Sequence, residues 1–306
     1  MRSRPPGFAL LAVLWITAML SVMAMSHASS ARVDAEGIRN MYRRQLLEND
    51  LRSALVLGEH EYEKFKANKA LFQKKDEVEG KTGKTLNLWY PRFEPYNATI
   101  GGRHIFIRLA DLSGKMALTA LNSALMNKIL EACGADEPTR NDIRDAWLDW
   151  EDTDNFHRLN GAESEYYKKT AGGYLAKNAK MENPEEFLLL KGITPELYFG
   201  TEDHPGLVHF LAVQGSSTVM DVNNAHPQAF TLIKDINSED IEKIVDLRRE
   251  KPIQKMEELN EIIPAQIMSE FKKHFGLPPS AGIYLQASGH ENATTGQGLE
   301  TVLGRS

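Results

Sequence analysis

Cysteine is almost absent: Cys133 is the single thiol in 306 residues, which excludes an intrachain disulfide framework. A basic surplus is missing as well. The 36 Lys and Arg are outnumbered by 42 Asp and Glu, giving a net charge of -6, so the chain has no excess of cations with which to neutralise phosphates and nucleic acid is not expected as a partner. The signatures of nucleophilic and nucleotide chemistry are also lacking. There is no Gly-x-Ser-x-Gly and no phosphate-binding glycine loop, and His204, His209 and His226 stand without a His-Glu-x-x-His spacing. Two further absences are positional. Residues 8–31 contain no Asp, Glu, Lys or Arg, and residues 31–70 contain no Pro.

The uncharged stretch comes after a short basic leader, MRSRPPG. An apolar helix of roughly 20 residues crosses a bilayer, and Arg2 and Arg4 ahead of it favour keeping that end in the cytoplasm, with everything after Arg32 outside. One fate for this segment is removal as a secretory signal peptide, cut after Ala28. The other is retention, because Pro5-Pro6-Gly7 before Phe8 resembles a prepilin-type leader cleaved between Gly7 and Phe8 by a prepilin peptidase. The next forty residues favour retention. From Ala31 to about Ala70 only Gly37 and Gly58 interrupt, and Ile38, Met41, Tyr42, Leu46, Leu51, Ala54, Leu55 and Tyr62 recur at helical intervals. The pattern predicts one long helix running from the membrane into a stalk. Its face of Ile38, Met41, Tyr42, Leu46 and Leu55 is a candidate partner surface.

Beyond a Gly80–Gly83 linker the texture changes. Leu86, Leu88 and Tyr90 alternate, and so do Ile105, Ile107 and Leu109 after the Gly101-Gly102 turn, predicting two strands. Residues 118–204 read as an inserted helical domain, with one helix over Leu118–Cys133 and another opened by Pro138 and carrying Ile143, Trp147 and Trp150. Residues 205–287 return to strand texture at His209–Val213, Thr218–Val222 and Ile283–Ala287, with helices near Pro227–Lys234, Ser238–Arg249 and Pro264–His274. The span Ser238–Leu259 resembles a helix-hairpin-helix, but its hairpin lacks the glycine pair that approaches DNA, which leaves a packing or subunit-contact role. The polar tail 288–306 is expected to be disordered. The fold class that results is α+β: a long N-terminal helix on a small sheet, with a large helical insertion.

Charge concentrates in one place. Between Asp136 and Tyr167 stand ten acidic residues and three arginines. Asp152-x-Asp154, a turn at Asn160-Gly161 and a returning Glu163 supply hard oxygen ligands on an adaptable loop, as Ca2+ requires, although the spacing is not that of an EF-hand. Asp149 and Glu165 complete the candidate ligand set. A solvated acidic helix end, with Asp142 and Asp145 facing Arg140 and Arg144, accounts for the same composition.

Several motifs in order carry a resemblance. Leu148-Asp149-Trp150-x-Asp152-x-Asp154, Asn160-Gly161-Ala162-Glu163, Tyr166-Tyr167, Glu186-Phe187-Leu188-Leu189-Leu190-Lys191-Gly192 and Val219-Met220-Asp221-Val222-Asn223-Asn224-Ala225, behind a prepilin-like Gly7-Phe8, resemble the minor pseudopilin K family of type II secretion. The resemblance implies a pilin-like fold, a calcium ion structural in the acidic loop, and no enzymatic activity. It implies a single-pass inner-membrane location with a periplasmic domain, and a place at the tip of the pseudopilus. The implied partners are other minor pseudopilins, the prepilin peptidase and, at a tip, exported proteins. Some positions depart from the family. Asp111 and Gly114 fit its strand-ending turn, whereas Ala117, Thr119 and Asp221 stand where Asn is common. Ala12 occupies the fifth place after the cut, where most pilin-like subunits carry a Glu that docks beneath a neighbour, and its absence suits a tip subunit. A type IV pilus minor pilin, or an exported calcium-stabilised hydrolase using Asp152 and Glu163, are the alternative readings.

Overall fold

The computed structural model describes residues 7–72, 88–170, 172–289 and 299–303. Helix α1 (Gly7–Ala67) is unbroken over 61 residues, a length of about 90 Å at 1.5 Å per residue. Its N-terminal half stands free of the rest of the chain, and its first third is long and apolar enough to cross a membrane. The C-terminal part packs on a four-stranded antiparallel sheet built from β1 (Tyr96–Ile100), β2 (Arg103–Asp111), β3 (Ile283–Ser288) and β4 (Leu299–Leu303), in the order β1-β2-β3-β4. Leu51, Ala54 and Tyr62 of α1 share one core with Ile105, Ile107, Leu109, Ile283, Leu285 and Ala287, every second residue of β2 and β3. The helix can sit close because residue 58 has no side chain: a Cβ there would lie 2.9 Å from Leu285 Cδ2 and 3.1 Å from Ile107 Cγ2.

The β1–β2 hairpin turns on Gly101 and Gly102, both at positive φ, as a two-residue turn that matches strand twist demands. Asp111 at the end of β2 pairs with Ile283 at the start of β3. Everything between them therefore leaves the sheet and returns at one neck. Asp111 closes that neck, its Oδ1 accepting from Ser113 N at 2.8 Å and Ala281 N at 3.0 Å while its own N–H donates to Asn224 Oδ1 at 2.8 Å. The Asp111–Gly114 turn is thus formed despite the neighbouring departures. Asp221 accepts from Asn224 Nδ2 at 2.6 Å, and Asn223 clamps the hairpin through Ile253 N and O at 2.8 and 3.0 Å.

The inserted module contains α2 (Ser123–Ala132), α3 (Glu137–Glu151), α4 (Ser238–Glu250) and α5 (Ala265–His274). One apolar core runs through it from Met116 to Phe275, so the module continues past residue 204, where the texture of the sequence suggests an end. The short pairings at Leu211–Ala212 and Met220–Asp221 belong to that module and not to the sheet, which explains their strand-like sequence. Two further expectations are corrected. Leu88–Tyr90 is irregular, residues 86 and 87 lying outside the described ones, and the first strand is Tyr96–Ile100, directly after Pro95. The expectation of a disordered tail is corrected at Leu299–Leu303, which adds a strand to β3, while residues 290–298 and 304–306 lie outside the described ones.

Candidate metal centre and exposed helix face

Helix α3 starts on Asp136, whose side chain accepts from Thr139 N at 3.0 Å, with Pro138 in the first turn. It buries Ile143, Ala146, Trp147 and Trp150 in the module core. Asp145 and Asp149 lie one turn apart near its end and are also buried. Each is satisfied by nearby chain. Asp145 accepts from Arg144 at 2.9 Å and Asn160 Nδ2 at 3.0 Å. Asp149, fully buried, accepts from Arg158 N at 3.1 Å and from Arg158 Nη1 at 2.6 Å. The same Nη1 reaches Asp152 Oδ2 at 2.6 Å. Residues of the 186–192 motif hold the loop from behind: Glu186 accepts from Trp150 Nε1 at 3.3 Å, and Lys191 Nζ donates to Asn160 O at 2.8 Å.

Asp152, Asp154 and Glu163 each bring a carboxylate oxygen within 4.8 Å of the others. Both oxygens of Glu163 and Oδ1 of Asp152 are buried, with no hydrogen-bond partner among the described residues. Burial first, then the charge on Asp149, pushes the Glu163 carboxyl up from its ordinary range. The Ser164 N–H lies close enough to offset part of that shift but does not meet hydrogen-bond geometry. Buried acceptors without donors are costly, and three carboxylates turned toward one point form a donor set for a hard, oxygen-seeking divalent cation. The residues present fit such an ion, which would remove the repulsion and complete the orphaned oxygens.

Two members of the expected ligand set are not brought to this point. Asp149 is engaged by Arg158, and Glu165 is exposed and outside the converging group. Arg158 is the residue that sequence reasoning passed over. The signal was available, since it is the only Lys or Arg between Asp152 and Glu163.

Helix α1 carries the second candidate surface. Ile38, Met41 and Tyr42 are 68%, 74% and 64% exposed, and Val33 extends the stripe at 65%. Leu46 is half-buried, and Leu55 turns to the chain's own sheet core. The free stripe therefore ends near residue 42, because the helix rotates its apolar face onto the sheet beyond that point. Gly7 and Phe8 form the first turn of the same helix.

Residues 108–201, the span that runs from β2 through the acidic loop, match the family model for protein K of the type II secretion system. The type II secretion system protein K of Klebsiella pneumoniae is 25% identical over 148 residues, 44% of this chain and 44% of that relative. The match thus spans less than half the length of the curated relative. A chain in the crystal structure of the GspK-GspI-GspJ complex from the type 2 secretion system of enterotoxigenic Escherichia coli is similar at 13% identity, covering 88% of this chain and 100% of that one, with a TM-score of 0.45.

Proposed function

We propose, from the match of residues 108–201 to the family model for protein K of the type II secretion system, that this chain is a member of that family and a minor pseudopilin standing at the tip of the periplasmic pseudopilus. There it initiates or caps assembly together with other minor pseudopilins. The observation that carries the reading is the family match over the very segment that holds the acidic loop, on a chain whose long first helix has an apolar and exposed N-terminal part. The family is a structural component of secretion. On this reading the chain is no enzyme, and Asp152 and Glu163 hold an ion and do no hydrolysis.

The shape of the chain supports the remaining assignments. The apolar third of α1 anchors it once in the inner membrane with the N-terminus cytoplasmic, the prepilin peptidase having cut between Gly7 and Phe8. The stripe from Val33 to Tyr42 packs against the helices of neighbouring subunits. Ala12 leaves the chain without a buried carboxylate in that helix, and the wide module between Asp111 and Ile283 obstructs any subunit stacked on top of it; both support a terminal position. Asp152, Asp154 and Glu163 hold Ca2+, which supplies charge neutralisation and loop ordering and takes part in no reaction.

N-terminal sequencing of the mature chain, together with fractionation, tests this. The expected result is a chain that begins at Phe8 and stays with the membrane. A mature start at Ser29 in the soluble fraction would overturn the pseudopilin reading.

A further inference from the structure

The loop holds more negative charge than its three converging carboxylates. Asp149 is fully buried beside them, and its charge already acts on Glu163. A divalent ion at Asp152, Asp154 and Glu163 would face four carboxylates in all. The structure divides these unequally. Arg158 takes Asp149 through a backbone N–H and a guanidinium N–H, and with the same Nη1 it takes one oxygen of Asp152. The other oxygen of Asp152 and both of Glu163 are left without donors. Asp152 is thereby shared, one oxygen toward the guanidinium and one toward the cluster.

Resting on the calcium reading, we infer that Arg158 is a resident counter-cation that divides the loop's charge with the divalent ion. The arrangement has two consequences of opposite sign. Without the ion, the guanidinium keeps the helix end and the loop together, because Asp149 would otherwise be a buried carboxylate facing three others. With the ion present, the same positive charge stands beside it on a common ligand and opposes its binding. Arg158 therefore raises the stability of the ion-free fold and lowers the affinity of the site. The loop stays formed during transit to the assembly site whether or not the ion has bound.

The test uses the full chain in detergent, with thermal melts in EGTA and in calcium, and calcium titration by calorimetry. Arg158→Gln is expected to melt at least about 4 °C below the parent in EGTA, to gain more from calcium than the parent gains, and to bind calcium about tenfold more tightly. Arg158→Gln combined with Asp149→Asn, which removes both charges, is expected to recover the lost melting temperature in EGTA. If Arg158→Gln does not fold in chelator, its rescue by calcium supports the inference; failure of both the single and the double variant to fold even in calcium overturns it. An unchanged or narrower calcium gain, or weaker binding, in Arg158→Gln also overturns it while leaving the calcium site intact. A parent chain indifferent to calcium and chelator instead removes the calcium reading, and this inference with it.

Discussion

Gly161 has no room for a side chain, since a Cβ there would fall 1.8 Å from Asp149 Oδ2, and Asp149 is fully buried and held by Arg158. Gly161→Ala is therefore expected to destabilise the chain by about 1–3 kcal/mol, measurable by urea denaturation. Glu163 gives a pH prediction with a definite sign. Its carboxyl is raised in the fold, chiefly by burial, so in chelator the folded state holds this proton more firmly than the unfolded chain does. Its contribution to stability rises as pH falls from the raised folded value toward the ordinary carboxylate range near 4.5, and is lost as pH rises through that window. Melts in EGTA should show this gain on mild acidification, and Glu163→Gln should reduce it; an identical profile in the variant contradicts the assignment. The converging trio was legible in the sequence because a pair two residues apart and a Glu after a turn have a local geometry. The roles of Asp149 and Arg158 were not, because they depend on how the loop folds back over the end of α3.

At the scale of elements, α4 is fastened to the start of the sheet by a buried ion pair. Arg248, fully buried, donates to Glu94 from Nε at 3.0 Å and Nη2 at 2.5 Å, and its Nη1 satisfies Val222 O and Ala225 O at 2.7 and 2.8 Å. Glu94→Ala leaves that guanidinium uncompensated and is expected to cost about 3–5 kcal/mol, read from chemical denaturation of the full chain. The helix-hairpin-helix resemblance thus ends in packing: Asn223 grips the hairpin at Ile253, and Arg248 is turned inward. The free stripe of α1 predicts a different outcome. Met41→Glu with Tyr42→Glu should abolish co-purification with the minor pseudopilins proposed as partners and leave the melting temperature unchanged, since both residues are exposed. Helices were read well from sequence because their period, caps and prolines are local, as at Asp136-x-Pro138. β4 was missed because an edge strand with one pairing neighbour shows little alternation of burial, whereas β1 does alternate, with Tyr96, Ala98 and Ile100 half-buried and Asn97 and Thr99 exposed, and was missed because the run is short and no residue in it is fully buried.

At the scale of the whole molecule, the chain is a long helix with a sheet at its far end and a helical module attached to that sheet at the Asp111–Ile283 neck and through the Arg248–Glu94 ion pair. The α+β class and the helical insertion were legible in the order of apolar periods along the sequence. The extent of the insertion was not, because the strand-like stretches at His209–Val213 and Thr218–Val222, with the helices that follow them, pack with the module, a fact that only long-range contact reveals. The proposed role grows out of this shape: in it the helix would anchor and dock, an ion together with Arg158 would hold the acidic loop, and the module would block further addition beyond it. The most direct test is immunogold electron microscopy of pseudopili from cells that carry an epitope on the helical module. Gold is expected at one end of each filament, and deletion of this chain is expected to give shorter or absent filaments with loss of secretion. Gold distributed along the filament, or filaments and secretion unchanged by the deletion, would contradict the proposed role.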